Sequence, residues 1–459
     1  MHNSESRQQR DSSKKTVVRQ VFIKQFKEGD VMHLPVKLGV QSMVIVNDFE
    51  LIKEILCKKE CLFRPRTWVF KDVGGIASLN GKAWQENRRY CVKTLRELSS
   101  GRKSMLEQVR EEFQYLREKV SETKGHPVMV RPFLLPCVTN NIAALLLGSR
   151  YDFNDPRLNR LDTLLEAFLR IFSGVSPVDP LPKCLKWIAP YIHCLGGGNG
   201  LELQQKFFKF IRNEINDRLE TVDSDINPHF IKGYLALVTQ HNENPKSNIN
   251  ARALHGNMVD ILVAGSASVA ASILYILLYC AEKPDTVQAK IQEEIDRVVG
   301  SGRTPTWEDH RFMPYSMAVV WEMSRWKTLT TLDLPREVDE DVFLSGYVIP
   351  KGTIVVANFW AAHFDPKYWK NPEEFDPSRF MTPDGSALLP RPEFLIPFSI
   401  GKRMCPGGAL ATIQIFLCVT TLLQAFRVLP EEGASYSVGS DLFADLLMQG
   451  LCFVPRMPE

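Results

Sequence analysis

No two of the ten cysteines stand in a Cys-x-x-Cys pair, and several, Cys280 and Cys418 among them, sit inside apolar runs. That spacing predicts reduced thiols rather than a disulfide framework, and it offers no zinc site. Net charge is also scarce: 56 Lys and Arg against 53 Asp and Glu leave a formal +3. A nucleic-acid binder needs concentrated basic surface, so no nucleic-acid partner is expected, although a local basic patch stays open. The first residues, Met1 to Lys15, are polar and have no apolar h-region. They predict a polar segment over 1–25 without signal peptide or membrane anchor. Repeats, low-complexity tracts and a linker between halves are missing. Residues 26–459 therefore read as one domain, although the length alone favours two.

What is present is ordinary globular material, 44% hydrophobic and 24% charged. Residues 261–281 carry no charge and meet the length of a membrane span. Their first half is small residues (Ala264, Gly265, Ser266, Ala267, Ser268), with Asp260 before and Glu282 after. A long buried helix crossing the centre of the protein explains this run better. Helical periodicity is expected over 82–122 with a break near 99–101, and over 134–147, 157–172, 201–221 and 314–327. A capped helix is expected at 48–56, and another at 285–299 closed by Gly300. Alternation predicts strands at 31–39, 41–46, 342–349 and 353–358, with loops at 63–80 and 173–200. The sum is a mainly α protein with a small β region.

The most informative stretch is Phe398-Ser-Ile-Gly-Lys-Arg-Met-Cys-Pro-Gly407. Gly401 and Gly407 allow tight curling around a large flat ligand, and Pro406 suits a first helical turn. The apolar run 409–426 then reads as a helix. Cys405 would lie at its positive end beside Lys402 and Arg403, where a thiolate is stabilised. Such a thiolate is a metal ligand or a nucleophile. A nucleophile wants a base, and the nearest histidine, His363, is distant in sequence. An axial ligand to haem iron needs none.

The pattern Phe-x-x-Gly-x-Arg-x-Cys-x-Gly resembles the haem-binding signature of the cytochrome P-450 superfamily. The likeness runs from about 29 to 453 and is greatest to animal microsomal members. It implies the mainly α P-450 fold, with haem b buried between the central helix and the cysteine-bearing helix. Cys405 would be the axial thiolate, with Phe398 and Gly401 shaping its loop. Trp84, Arg88, Arg336 and Arg403 would hold the haem propionates. Glu322, Arg325 and Arg379 would form a buttress for the cysteine loop. In the family, a small residue and glycine on the central helix precede an acid and a threonine that pass protons towards dioxygen. Here Ala264 and Gly265 are kept, Ala267 replaces the acid and Ser268 the threonine, so that Gly265 and Ser268 would be the catalytic residues shaping the oxygen pocket. Slower or less coupled oxygen activation is expected, since alanine carries no proton.

The implied activity is insertion of one oxygen atom from O2 into a xenobiotic, steroid or fatty acid. NADPH would supply electrons through a flavoprotein reductase, with a cytochrome b-type donor as a second partner. Substrate contacts are expected from 63–80, 168–172, the central helix and 330–334. The cytoplasmic face of the endoplasmic reticulum is the implied location, and the apolar loop 173–200 is either a peripheral membrane contact or a buried lid. Two alternatives stay open: a haem-thiolate isomerase or dehydratase acting on a peroxide without reductase, and a haem-binding protein of decayed chemistry.

Overall fold

The computed structural model describes residues 34–38, 41–65, 74–99, 103–172, 197–221, 230–241, 247–433 and 450–456. The polar segment 1–25, residues 66–73 and most of the 173–200 loop lie outside them, as do the side chains of 168–172. Residues 197–200 open a helix instead of closing that loop.

Two strands, β1 (Leu34–Leu38) and β2 (Gln41–Val46), begin the described chain and pair antiparallel. Asp48 then caps α1 (Phe49–Cys57), its Oδ1 accepting the Leu51 N–H at 3.0 Å. Helices α2 (Gly81–Ser99) and α3 (Lys103–Ser121) follow, then β3 (Val128–Met129) and α4 (Arg131–Leu147). Next come α5 (Pro156–Phe172), α6 (Gly197–Thr221), α7 (Phe230–His241) and the long α8 (Ala251–Glu282). Asn250 caps α8 by accepting from Ala253 N at 3.0 Å.

The helix expected at 285–299 starts differently. Pro284 opens a π turn over Pro284–Gln288, in which Gln288 N donates to Lys283 O, and only then does α9 (Ala289–Val298) begin. Gln288 is drawn there because its amide side chain donates to Cys280 O and Val428 O. After α10 (Pro314–Trp326) come β4 (Arg336–Glu337), β5 (Val342–Leu344), β6 (Tyr347–Ile349), β7 (Ile354–Ala357) and α11 (Phe359–Phe364). Helix α12 (Gly408–Ala425), β8 (Phe426–Pro430) and β9 (Gly450–Pro455) close the fold.

The main sheet runs β1-β2-β7-β4, with β2 and β7 parallel. A three-stranded sheet β3-β9-β8 and the hairpin β5-β6 complete the β part. Helix α8 packs on α4, α12, α6 and α10, so most of it is buried. It and α12 are long and apolar enough to cross a membrane, yet both serve as core helices. This is the mainly α fold expected.

Candidate functional site

The cysteine loop is built by backbone constraints. Cys405 N donates to Phe398 O at 2.8 Å and Met404 N to Gly401 O at 3.1 Å. Gly401 has φ +75°, and a Cβ there would stand 2.6 Å from Leu56 O, so only glycine fits. Gly407 has φ −94°, an ordinary value, and its freedom is not what the loop uses. The helix starts at Gly408, with Gly407 as its N-cap residue, rather than in the turn of Pro406.

Cys405 is exposed. Burial pushes its thiol up, opposed by the N–H groups of Gly407 and Gly408 and by Arg88. The helix end therefore acts on the thiol as expected, but Lys402 and Arg403 do not. Lys402 is exposed, and Arg403 turns away to the 62–80 segment.

Arg403, which is 6% exposed, donates to the carbonyls of Leu62, Ile76 and Leu79 at 2.7–3.0 Å and to Asn80 Oδ1 at 3.1 Å. Its guanidinium lies 4.0 Å from the centre of the Trp84 ring. One turn on along α2, Arg88 donates to Met404 O. Arg336 donates to Leu56 O at 3.0 Å and to Asp333 Oδ2 at 3.2 Å. Arg64 completes the group, donating to Leu334 O and, at 2.9 Å, to Pro335 O. Sequence reasoning missed Arg64, which sits in an irregular stretch without periodicity. Its signal was the Arg64-Pro-Arg66 pair of cations beside a proline.

Four guanidiniums thus crowd one region that has Asp333 as its bonded carboxylate among the described residues. Burial and then Arg64, Arg336 and Arg88 push Arg403 down to about 8. Burial also lowers Arg64 to about 10, with Asp333 opposing. Three donors in this region, Arg64 Nε, Trp84 Nε1 and Arg336 Nε, are buried without a partner. Buried orphan donors are costly, and converging cations make the cost larger. A ligand bringing two carboxylates answers both problems, so the residues present fit haem propionates.

Elsewhere, Glu322 and Arg325 of α10 are both fully buried and paired through Oε2 and Nε at 2.7 Å and Oε1 and Nη2 at 2.8 Å. Arg379 Nε reaches Glu322 Oε1 at 3.1 Å. The three residues expected to cluster do so.

In the middle of the otherwise buried α8, Ala264 and Ser268 are exposed. Gly265 faces the other way: a Cβ there would meet Ile142 Cδ1 at 2.9 Å, so it sets how closely α8 and α4 approach. Ser268 Oγ donates to Ala264 O at 2.6 Å, and Ser272 Oγ to Ser268 O at 2.9 Å. One turn before Ala264, Asp260 accepts from Ala77 N at 2.8 Å, and burial pushes its carboxyl up to about 7. Among the described residues no three His, Cys, Asp or Glu gather as a metal site.

Fold and site together define a mainly α protein with a cluster of buried arginines beside one cysteine. The cytochrome P450 family model matches residues 9–440. Cytochrome P450 2J2 of Homo sapiens is 32% identical over 450 residues, covering 95% of this chain and 86% of the relative. Cytochrome P450 2U1 of Homo sapiens is 31% identical over 406 residues, covering 86% and 73%. Cytochrome P450 2C11 of Rattus norvegicus is 33% identical over 401 residues, covering 85% and 78%. The chain belongs to the cytochrome P450 family, of the animal microsomal type, and is a P450 monooxygenase. Membership brings haem with thiolate ligation, binding of O2 and substrate, and a redox partner.

Proposed function

We propose that this P450 inserts one atom of O2 into a lipophilic small molecule of the xenobiotic, steroid or fatty-acid kind. Electrons come from NADPH through a flavoprotein reductase, with a cytochrome b-type protein as an accessory donor. The site of action is the cytoplasmic face of the endoplasmic reticulum. The observation that carries the site assignment is the set of orphan donors at Arg64, Trp84 and Arg336 beside Cys405. When bound, haem supplies the one-electron and dioxygen chemistry, and thiolate donation favours O–O cleavage.

The chain's own residues do the rest. Cys405 Sγ would hold the haem iron, at the start of α12 where the Gly407 and Gly408 N–H groups favour the thiolate. Arg64, Trp84, Arg88, Arg336 and Arg403 orient and neutralise the two carboxylates. Phe398 and Gly401 fix the cysteine loop, and Glu322, Arg325 and Arg379 brace it. Gly265 seats α8, and Ser268 holds a proton at Oγ on the accessible face. That hydroxyl donates to Ala264 O, so its lone pairs are what it offers a water. Ala267 supplies no proton. Leu332 and Leu334, exposed in the segment before Arg336, offer apolar contact to substrate.

The altered pair at Ala267 and Ser268 is the observation favouring a second reading, rearrangement of a hydroperoxide without reductase. The test is turnover of the haem-loaded protein with NADPH and reductase against turnover with a lipid hydroperoxide alone. Product carrying label from 18O2 supports the monooxygenase reading, and product from hydroperoxide alone supports the other. A reduced carbon monoxide complex without a thiolate-type band defeats both.

A further inference from the structure

Asparagine is an unusual choice for the interior of two packed helices, and this chain buries one in each. Asn87 on α2 and Asn257 on α8 are both fully buried. Asn257 Nδ2 donates to Asn87 Oδ1 at 2.8 Å. Asn257 Oδ1 accepts the Ile76 N–H at 3.0 Å. The carbonyl of the same Ile76 accepts from Arg403 Nη1 at 3.0 Å. Arg403 in turn lies 4.0 Å over the Trp84 ring, and Trp84 is one turn before Asn87 on α2. The contacts therefore form a closed ring that leaves α2 at Asn87 and returns to it at Trp84. It passes through α8, the 75–80 turn and the cysteine loop on the way.

Every polar atom of the two asparagine side chains is used. Asn87 Oδ1 also accepts from Tyr234 OH of α7 at 2.6 Å, and its Nδ2 donates to Ala83 O at 2.9 Å and Asn248 O at 3.0 Å. A satisfied buried network has one low-energy arrangement, so it fixes position as well as adding stability. What it fixes here is the pair Trp84 and Arg403. The turn between them has little room to shift: a Cβ at Gly75 would collide with Gly256 O of α8 at 2.3 Å.

We propose that Asn87 and Asn257 are positioning residues for the carboxylate-binding end of the haem site. They act through Ile76, holding Arg403 and Trp84 in one relative placement. This inference rests on the haem-thiolate reading above. Breaking the ring at Asn257 frees the turn, loosens Arg403 and weakens hydrogen bonding to the haem carboxylates. Less positive charge held near those carboxylates favours the ferric over the ferrous state.

The test uses haem-loaded protein with Asn257→Leu, close in size but without polar atoms. The expected result is a propionate bending band at lower frequency by resonance Raman, together with a more negative midpoint potential. Tyr151→Phe, which breaks a separate buried hydrogen bond to Glu214, is the control. It lowers the melting temperature and leaves band and potential where they were. Should Asn257→Leu not fold, Asn257→Ala decides in its place, with shifts in the same directions. An Asn257 variant that binds haem and keeps the wild-type band and potential overturns the proposal. The wild-type carbon monoxide band separates the two levels. Its absence defeats the haem-thiolate reading, whereas its presence with unmoved Asn257 variants defeats the ring alone.

Discussion

Two groups of buried arginines lie in this molecule, and they are treated in opposite ways. Around Glu322, Arg325 donates twice to the carboxylate and also to the carbonyls of His363, Pro372 and Glu374. No atom of Glu322, Arg325 or Arg379 is left buried and unpaired. Around Trp84, by contrast, Arg64, Arg88, Arg336 and Arg403 repel one another and three donors have no partner. The first group is finished by the protein itself. The second, on the proposed reading, is completed by the cofactor carboxylates. Between these two groups it is the satisfaction of buried polar atoms, not burial, that differs.

The largest expected effect lies in the finished group. Arg325→Ala leaves Glu322 buried without its main partner, and breaking a buried pair costs about 3–5 kcal/mol. Equilibrium denaturation should show that loss in apoprotein and holoprotein alike. The unfinished group should answer with opposite signs in the two forms. Trp84→Phe removes a buried orphan N–H, so apoprotein should gain about 1 kcal/mol. The same change should weaken haem binding roughly tenfold, the worth of a hydrogen bond to a charged group. A fall in both quantities would erase the distinction between the groups.

A subtler effect is expected on α8, where Ser268 is satisfied within its own helix and Ala267 brings no acid. The paired change Ala267→Glu and Ser268→Thr should raise product formed per NADPH consumed and lower peroxide release. Unchanged coupling would mean that proton supply at this pair does not limit turnover.

A pH dependence is expected as well. Burial raises Asp260 from 3.8 to about 7 and Glu112 from 4.5 to about 7. Each therefore binds its proton more tightly in the folded chain than in the unfolded one. The contribution of these two carboxyls to apoprotein stability should be full below about pH 4, fall as pH rises towards 7 and level off above it. Asp260→Asn should flatten that slope in part, read from denaturant midpoints across the range.

The cysteine loop was legible because its spacing is fixed by short-range needs. A left-handed Gly401, an N–H held by Phe398 and a helix start lie within eleven residues. The pairing of Glu322 with Arg325 was legible because residues three apart share a helix face. Arg64 was not, since a loop residue points wherever tertiary contacts take it. Nor did the sequence disclose that Arg403 turns from Cys405 towards Leu62, Ile76 and Leu79, because those carbonyls lie more than three hundred residues away in the chain. Asn87 and Asn257 read as ordinary helix residues until their burial is known. The π turn at Pro284–Gln288 was missed for a similar reason: partners on β8 decide it, not helical periodicity.

The central claim is that the unfinished arginine group exists to hold cofactor carboxylates, and one titration tests it directly. Apoprotein is titrated with haem and with haem whose two carboxylates are methyl esters. The predicted result is much weaker binding of the diester to wild-type protein, with a smaller difference in Trp84→Phe. Equal affinity of wild-type protein for the two would contradict the claim.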